Sequence, residues 1–587
     1  MKILKVLWIV MWLALSGAAW AVEHLTLADA TPGRTGICVT EMGGGERVEI
    51  PLTVLGSVGS GTPDGEIVLV RLDDPRFEKT GIIAGMSGSP VYLDGKLLGA
   101  LAFGWSFSKD PIGGVTPFER MLEIETSPMS AAVVDRRPRI DELIEAMASG
   151  TLGRTVVDWL VPERAGRVHP LPMSVTVGGW WAPTEGGWLA ESWRRMGWIA
   201  TPGGGPVDPD AGRDITPGAM VAAVMVDGDV TVAGAGTVTE VRGDRLWAFG
   251  HPSLGAGATN MPLARAKVVA VLPSLMNSFK FFSVGKPIGA LVADRTPGVV
   301  GILGRDVPMI PVRVSVNDRR YSFRAIRHPT LLPLLAGYLS QASHGSIGRT
   351  FGDQTLTTRI ELQYQDHPVA VATAAFTGGF ASGEAAAFVS AVVAYIENSA
   401  FAVPEIESVD IRLESVEEIR SATIVEILPE RREVRPGEDL AVRFRLRKHR
   451  GGEEFRTLTL HIPEGIPDGR IDVVGGDGVA WTAYDQQMRP LEPSTFGDEV
   501  RLLNGLVPAN TLVVALEARD LGMVVPGGTV SAPPSMVLQL RSVLGPNLQT
   551  TAYGVFAKTM ADVPFPVTGA QRVPLTVRSK EWKMEKQ

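Results

Sequence analysis

At 587 residues the chain is too long for one hydrophobic core, and 45% hydrophobic and 20% charged residues with 66 Gly and 42 Pro favour short strands joined by many turns over long helices or disorder. A net charge of −8 without a basic stripe argues against nucleic acid or an anionic membrane surface as partner. The single cysteine, Cys38, excludes an intrachain disulfide and a cysteine-based metal site, and no motif calls for a metal or a cofactor.

Residues 1–21 read as a secretory signal: Lys2 and Lys5, an apolar run from Val6 to Leu15, and Ala19-Trp20-Ala21 as a small-x-small cleavage site. The reading predicts an exported protein of the periplasm or cell envelope with no integral membrane domain after cleavage; an uncleaved anchor is the alternative. Residues 22–125 are strand-like, through Val48–Leu55 and Glu66–Leu72, and Asp94-Gly95 between two apolar runs is a two-residue hairpin signal. This part predicts a small barrel with Ser87 at a strand mouth. Cys38 reads as a small buried residue.

Residues 126–215 are an irregular insert or linker, with a short helix over Asp141–Ser149 closed by Gly150. Trp180, Trp181, Trp188, Trp193 and Trp198 follow, and packing of an irregular segment explains them better than a groove for peptide or glycan. Residues 216–400 form a second strand-rich block, ending in a helix from Ser382 to Ile396 with an apolar stripe through Phe388 and Val392. Residues 401–587 alternate apolar and polar over Leu440–Leu446, with similar pieces at Thr457–Ile462, Leu512–Leu516 and Met536–Leu540, which predicts an accessory β-sandwich.

The stretch with chemistry in it is Gly85-Met86-Ser87-Gly88-Ser89-Pro90. A serine nucleophile needs a tight turn with little bulk around it, and the two glycines permit unusual backbone angles that aim the N–H groups of Gly85 and Ser87 one way, as an oxyanion hole requires. A plain Gly/Ser/Pro turn between strands is the competing reading. Such a nucleophile also needs a base. Of eight histidines only His251 ends an apolar strand in a Gly-flanked turn, Ala248-Phe249-Gly250-His251-Pro252, where a structural histidine is the alternative.

These segments resemble the SpoIVB-type serine peptidases, a sporulation-associated family in the clan of chymotrypsin-like proteases. The likeness runs from Asp74-Pro75-Arg76-Phe77 through Thr80-Gly81-Ile82-Ile83-Ala84 and the serine hexapeptide to Asp94-Gly95-Lys96-Leu97-Leu98-Gly99-Ala100 and Asp110-Pro111. It resumes at Gly236-Thr237-Val238-Thr239 and Gly250-His251. The resemblance implies Ser87 as nucleophile, His251 as general base, Asp74 as the acid that orients the imidazole, with Asp73 and Asp110 as rivals, and the Gly85 and Ser87 N–H groups as oxyanion hole. The serine block here precedes the histidine block, the reverse of the family order, and no PDZ-like domain precedes the histidine. The expected fold is mainly β, two chymotrypsin-like β-barrel halves plus a C-terminal β-sandwich. The expected function is an exported serine endopeptidase acting on a protein or peptide substrate. The alternative is a catalytically inactive scaffold or peptide-binding module of the cell envelope, whose C-terminal sandwich binds an envelope partner.

Overall fold

The computed structural model describes residues 24–59, 65–105, 108–126, 138–161, 172–177, 187–202, 208–347, 349, 351–401, 403–490, 493–525, 528–544 and 550–579. The signal segment, Trp180 and Trp181 lie outside them. The described chain is mainly β.

Strands β1 (Thr35–Glu41), β2 (Arg47–Gly59), β3 (Glu66–Leu72), β4 (Ser89–Leu93), β5 (Lys96–Gly104) and β6 (Ile112–Pro117) close into a barrel in the order β1-β2-β3-β6-β5-β4. Alternate residues of the β-branched runs point inward, so Ile50, Leu52, Val54, Val68, Val70 and Val91 fill the interior with Cys38, which is fully buried. The β4–β5 hairpin turns at Asp94-Gly95, both at positive φ (50° and 75°), the geometry of a type I′ turn.

Strands β7 (Met173–Val177) and β8 (Trp198–Pro202) are the first of a second, 13-stranded sheet. It continues through β9 (Met220–Gly228), β10 (Val232–Arg242), β11 (Arg245–Ala248), β12 (Gly257–Leu272), β13 (Phe279–Arg295) and β14 (Gly298–Leu303). Pairing of β9 with β10 joins β9-β12-β13-β14-β11-β10 into a ring of antiparallel neighbours. Its filling is small: Ala222, Ala233, Ala235, Ala264 and Ala266 pack with Met220 and Phe282. The sheet is completed by β15 (Ile310–Val316), β16 (Arg319–Ala325), β17 (Thr355–Tyr364), β18 (Ala370–Thr377) and β19 (Ile406–Val416).

The segment expected to be irregular is built. Helices Ile140–Ser149, Leu152–Leu160 and Gly187–Met196 pack in succession, the last of them against β8 of the parallel pair β7–β8, which extends the edge of the large sheet. Trp193 and Trp198 are buried edge to face, 5.4 Å apart, with Tyr338 6.1 Å from Trp193, and Trp188 donates its ring N–H to Gly383 O at 3.2 Å. Packing therefore accounts for the described tryptophans. Gly150 ends the first helix in the left-handed region at φ 68°.

Helix Ala381–Glu397 covers the expected 382–396, and it packs on a helix, Leu331–Gly345, that periodicity does not reveal. Leu331-Leu332-Pro333-Leu334-Leu335-Ala336 is buried on every side, so it has no polar face to set a 3.6-residue rhythm, and Pro333 sits in the first turn, where a helix tolerates it.

Strand β19 runs parallel to β15 and antiparallel to β17, so the large sheet reaches Val416, past the expected break at 400. Beyond it, a four-stranded sheet holding strands 422–429, 439–448, 453–461 and 567–568 and a six-stranded sheet holding 433–434, 469–477, 511–525, 528–531, 550–562 and 570–577 share one apolar core through Val442, Phe444, Val473, Val514 and Leu516. The stretch read as a strand at Met536–Leu540 is a helix, Pro534–Leu544. Pro534 occupies its first position, and Val537 with Leu540, three residues apart, face Met523 while Leu538 is exposed. Among the described residues no helix is long and apolar enough to cross a membrane.

Candidate active site

The serine turn leads into β4. Gly85 (φ 97°) and Gly88 (φ 94°) occupy the left-handed region that their lack of a side chain permits. Met86 N–H donates to Ile83 O at 2.9 Å, Ser89 N–H to Met86 O at 2.8 Å and Gly88 N–H to Leu101 O at 2.7 Å. Among the described residues no carbonyl accepts from the N–H of Gly85 or of Ser87. These are the two donors an oxyanion hole would use.

The second ring holds this turn from the other side. Thr237 N–H donates to Ser87 O at 2.6 Å, Thr237 Oγ1 to Gly85 O at 2.9 Å and Thr239 Oγ1 to Gly88 O at 2.8 Å. Two residues apart on β10, the threonines share one face, and that face is buried against the serine turn. The main chain of Ala84 is bonded on both sides to β13 and its approach: Ala84 N–H donates to Ser278 O (2.8 Å) and Lys280 N–H to Ala84 O (3.1 Å).

His251 arrives from β11 through Phe249 and Gly250, both at φ 70°, a conformation that costs Phe249 about 1–2 kcal/mol and that its burial at 1% exposure and its N–H bond to Thr237 O sustain. Thr116 Oγ1 of the first barrel donates to Gly250 O at 2.6 Å. The result is a direct contact between residues 164 positions apart: Ser87 Oγ and His251 Nε2 are separated by 2.8 Å. His251 Nδ1 lies 2.8 Å from Pro252 O. A carbonyl only accepts, so Nδ1 carries the proton, Nε2 presents its lone pair, and Ser87 Oγ–H donates to it. Ser87 and His251 are 3% and 2% exposed. Burial pushes the imidazole down to about 4, against the pull of the Pro252 bond, so the ring is neutral near pH 7.

Asp74 is not part of this contact. It caps a short 3-10 turn over Pro75–Phe77, accepting from Arg76 N–H at 2.9 Å and pairing with the Arg76 guanidinium at 2.6 Å. That pair holds its carboxyl below the usual range, the guanidinium bond being the larger cause. The correction has a simple cause: Pro252 O already occupies the ring nitrogen a carboxylate would take, and the sequence Asp-Pro-Arg makes a self-contained cap. Asp73 is equally occupied, by Thr53 and Arg71, and Asp110 lies in an exposed turn. Asp74→Ala is therefore expected to cost about 0.5–1 kcal/mol of stability through the lost cap while leaving the reactivity of Ser87 unchanged, which a chemical-denaturation midpoint and an active-serine labelling rate would check together.

Two buried charges beside the site escaped sequence reasoning. Lys280, with no exposed surface, runs its alkyl chain beneath Gly85, where a Cβ on the glycine would sit 3.2 Å from Lys280 Cδ, and its Nζ donates to Thr40 Oγ1 at 2.8 Å. Thr40 Oγ1 also accepts from Ser89 Oγ at 2.9 Å. Glu41, equally buried, accepts from Met220 N–H (3.2 Å) and Val268 N–H (2.9 Å) and pairs with Arg265. A lysine inside an apolar strand and an acid ending one were the available signals, since neither type is buried without a partner.

The chain matches no family model, no curated protein and no solved structure among known proteins.

Proposed function

We propose that the protein is an exported serine endopeptidase of the SpoIVB type, with the two rings as the halves of a chymotrypsin-like arrangement and the C-terminal sheets as an accessory sandwich available to an envelope partner. The observation that carries the reading is the 2.8 Å contact of Ser87 Oγ with a histidine nitrogen whose tautomer leaves it an acceptor. In the proposed reaction Nε2 takes the Ser87 proton as Oγ attacks the scissile carbonyl carbon. The Gly85 and Ser87 N–H groups receive the developing oxyanion, and the imidazolium returns its proton to the leaving amine. Water then attacks the acyl-serine by the same proton path in reverse. The exchanged order of the blocks is no obstacle, because geometry and not chain order defines such a site.

A fluorophosphonate probe tests the proposal. Ser87 is expected to be labelled, Ser87→Ala to give none, and His251→Ala to slow labelling by a factor on the order of 100 or more. Absence of labelling in the unmodified protein would sink it. The pH profile follows from the imidazole: protonation removes the Nε2 lone pair, so labelling stays flat from about pH 8 to 5 and falls by half near pH 4, where a solvent-exposed histidine would halve it near 6.5. The second reading, a catalytically inactive envelope module that binds peptides, is favoured by the near-complete burial of both residues and by the missing carboxylate on Nδ1. It predicts no labelling at any pH.

A further inference from the structure

We propose that Asp294 is the positioning residue of the site, orienting His251 through the turn that follows it instead of through the imidazole itself. The inference rests on the reading of Ser87 and His251 as nucleophile and base. Asp294 lies near the end of β13 with no exposed surface. Its Oδ1 accepts from Ser253 N–H at 2.8 Å, and its Oδ2 from Leu254 at 2.7 Å, Gly255 at 3.0 Å and Ala256 at 3.4 Å. Four consecutive N–H groups converge on one carboxylate, so the chain from Ser253 to Ala256 is wrapped around a fixed point.

That turn begins one residue after Pro252, whose carbonyl takes His251 Nδ1–H. The Ser253 N–H belongs to the same peptide unit as that carbonyl, and the unit is planar. Anchoring the N–H on Asp294 Oδ1 therefore sets the direction in which Pro252 O points. In a triad the carboxylate fixes the tautomer and ring plane by direct contact. Here a backbone carbonyl makes that contact, and the carboxylate sits one peptide further out.

The test compares the unmodified protein with Asp294→Asn and Asp294→Ser. Asparagine keeps one acceptor oxygen but turns an NH₂ toward N–H donors, releasing the turn on one side. Each variant is scored for folding by thermal unfolding, for Ser87 labelling by the fluorophosphonate probe, and for the His251 tautomer by ¹⁵N shifts of histidine-labelled protein. The expected result is a folded variant in which labelling slows about 10- to 100-fold and the imidazole loses its single Nδ1–H form. A folded variant labelled within about twofold of the unmodified rate, or with the tautomer unchanged, would overturn the proposal. So would outright failure of both variants to fold, since Asp294 would then hold the fold and not the ring. If the unmodified protein is not labelled at all, the peptidase reading fails first; labelling that ignores Asp294 fails this inference alone.

Discussion

Gly88→Ala is expected to cost more than about 3 kcal/mol and to uncouple the serine turn from the second ring. A Cβ added at Gly88 would sit 1.9 Å from Thr237 O and 2.4 Å from Phe249 N. Both are backbone atoms, held in turn by the Thr237 N–H bond to Ser87 O and the Phe249 N–H bond to Thr237 O. Nothing flexible can give way, and φ 94° adds its own penalty for a residue with a side chain. Gly95→Ala is the control. Its φ of 75° is also left-handed, but nothing lies within 4 Å of the new Cβ, so only the conformational cost of about 1 kcal/mol is expected. Urea midpoints of the two variants separate steric exclusion from backbone preference, and equal losses would show that no close approach exists at Gly88.

This packing explains what was legible in the sequence. The hexapeptide around Ser87 and the turn at His251 stand out because glycines and a proline punctuate apolar strands, and the same glycines let the two turns meet. The threonines of Gly236-Thr237-Val238-Thr239 belong to the resemblance, yet their role depends on which face of β10 looks at the serine turn, a long-range fact. The third partner was not legible for a similar reason. Asp74 is close in sequence and has the right chemistry, but a carboxylate followed by Pro and Arg is satisfied locally. Asp294 is one charge near the end of a strand, and its significance comes from four N–H groups about 40 residues earlier in the chain. The helix at Leu331–Gly345 was hidden because burial on all sides erases periodicity.

Glu41→Ala is expected to be as damaging, at about 3–5 kcal/mol, because it breaks a buried pair by removing one side. Arg265, with its side chain 12% exposed, would keep its charge without its partner, and the N–H groups of Met220 and Val268 would lose their acceptor. The same site makes a second, sharper expectation through Lys280. Burial pushes that ammonium down to about 7 from its ordinary 10.5, and the Glu41 carboxylate pulls it back up. Between about pH 7 and 10.5 the unfolded chain holds the Lys280 proton while the folded protein releases it, so stability rises with pH across that window. Glu41→Gln keeps the size of the side chain and one acceptor but removes the charge, which lowers the folded value of Lys280 further and moves the start of the rise below pH 7. Denaturation midpoints of both proteins from about pH 6 to 9 read this directly. Superimposable profiles would mean that Glu41 and Lys280 do not interact, and that the cost of Glu41→Ala comes from Arg265 and the two orphaned N–H groups alone.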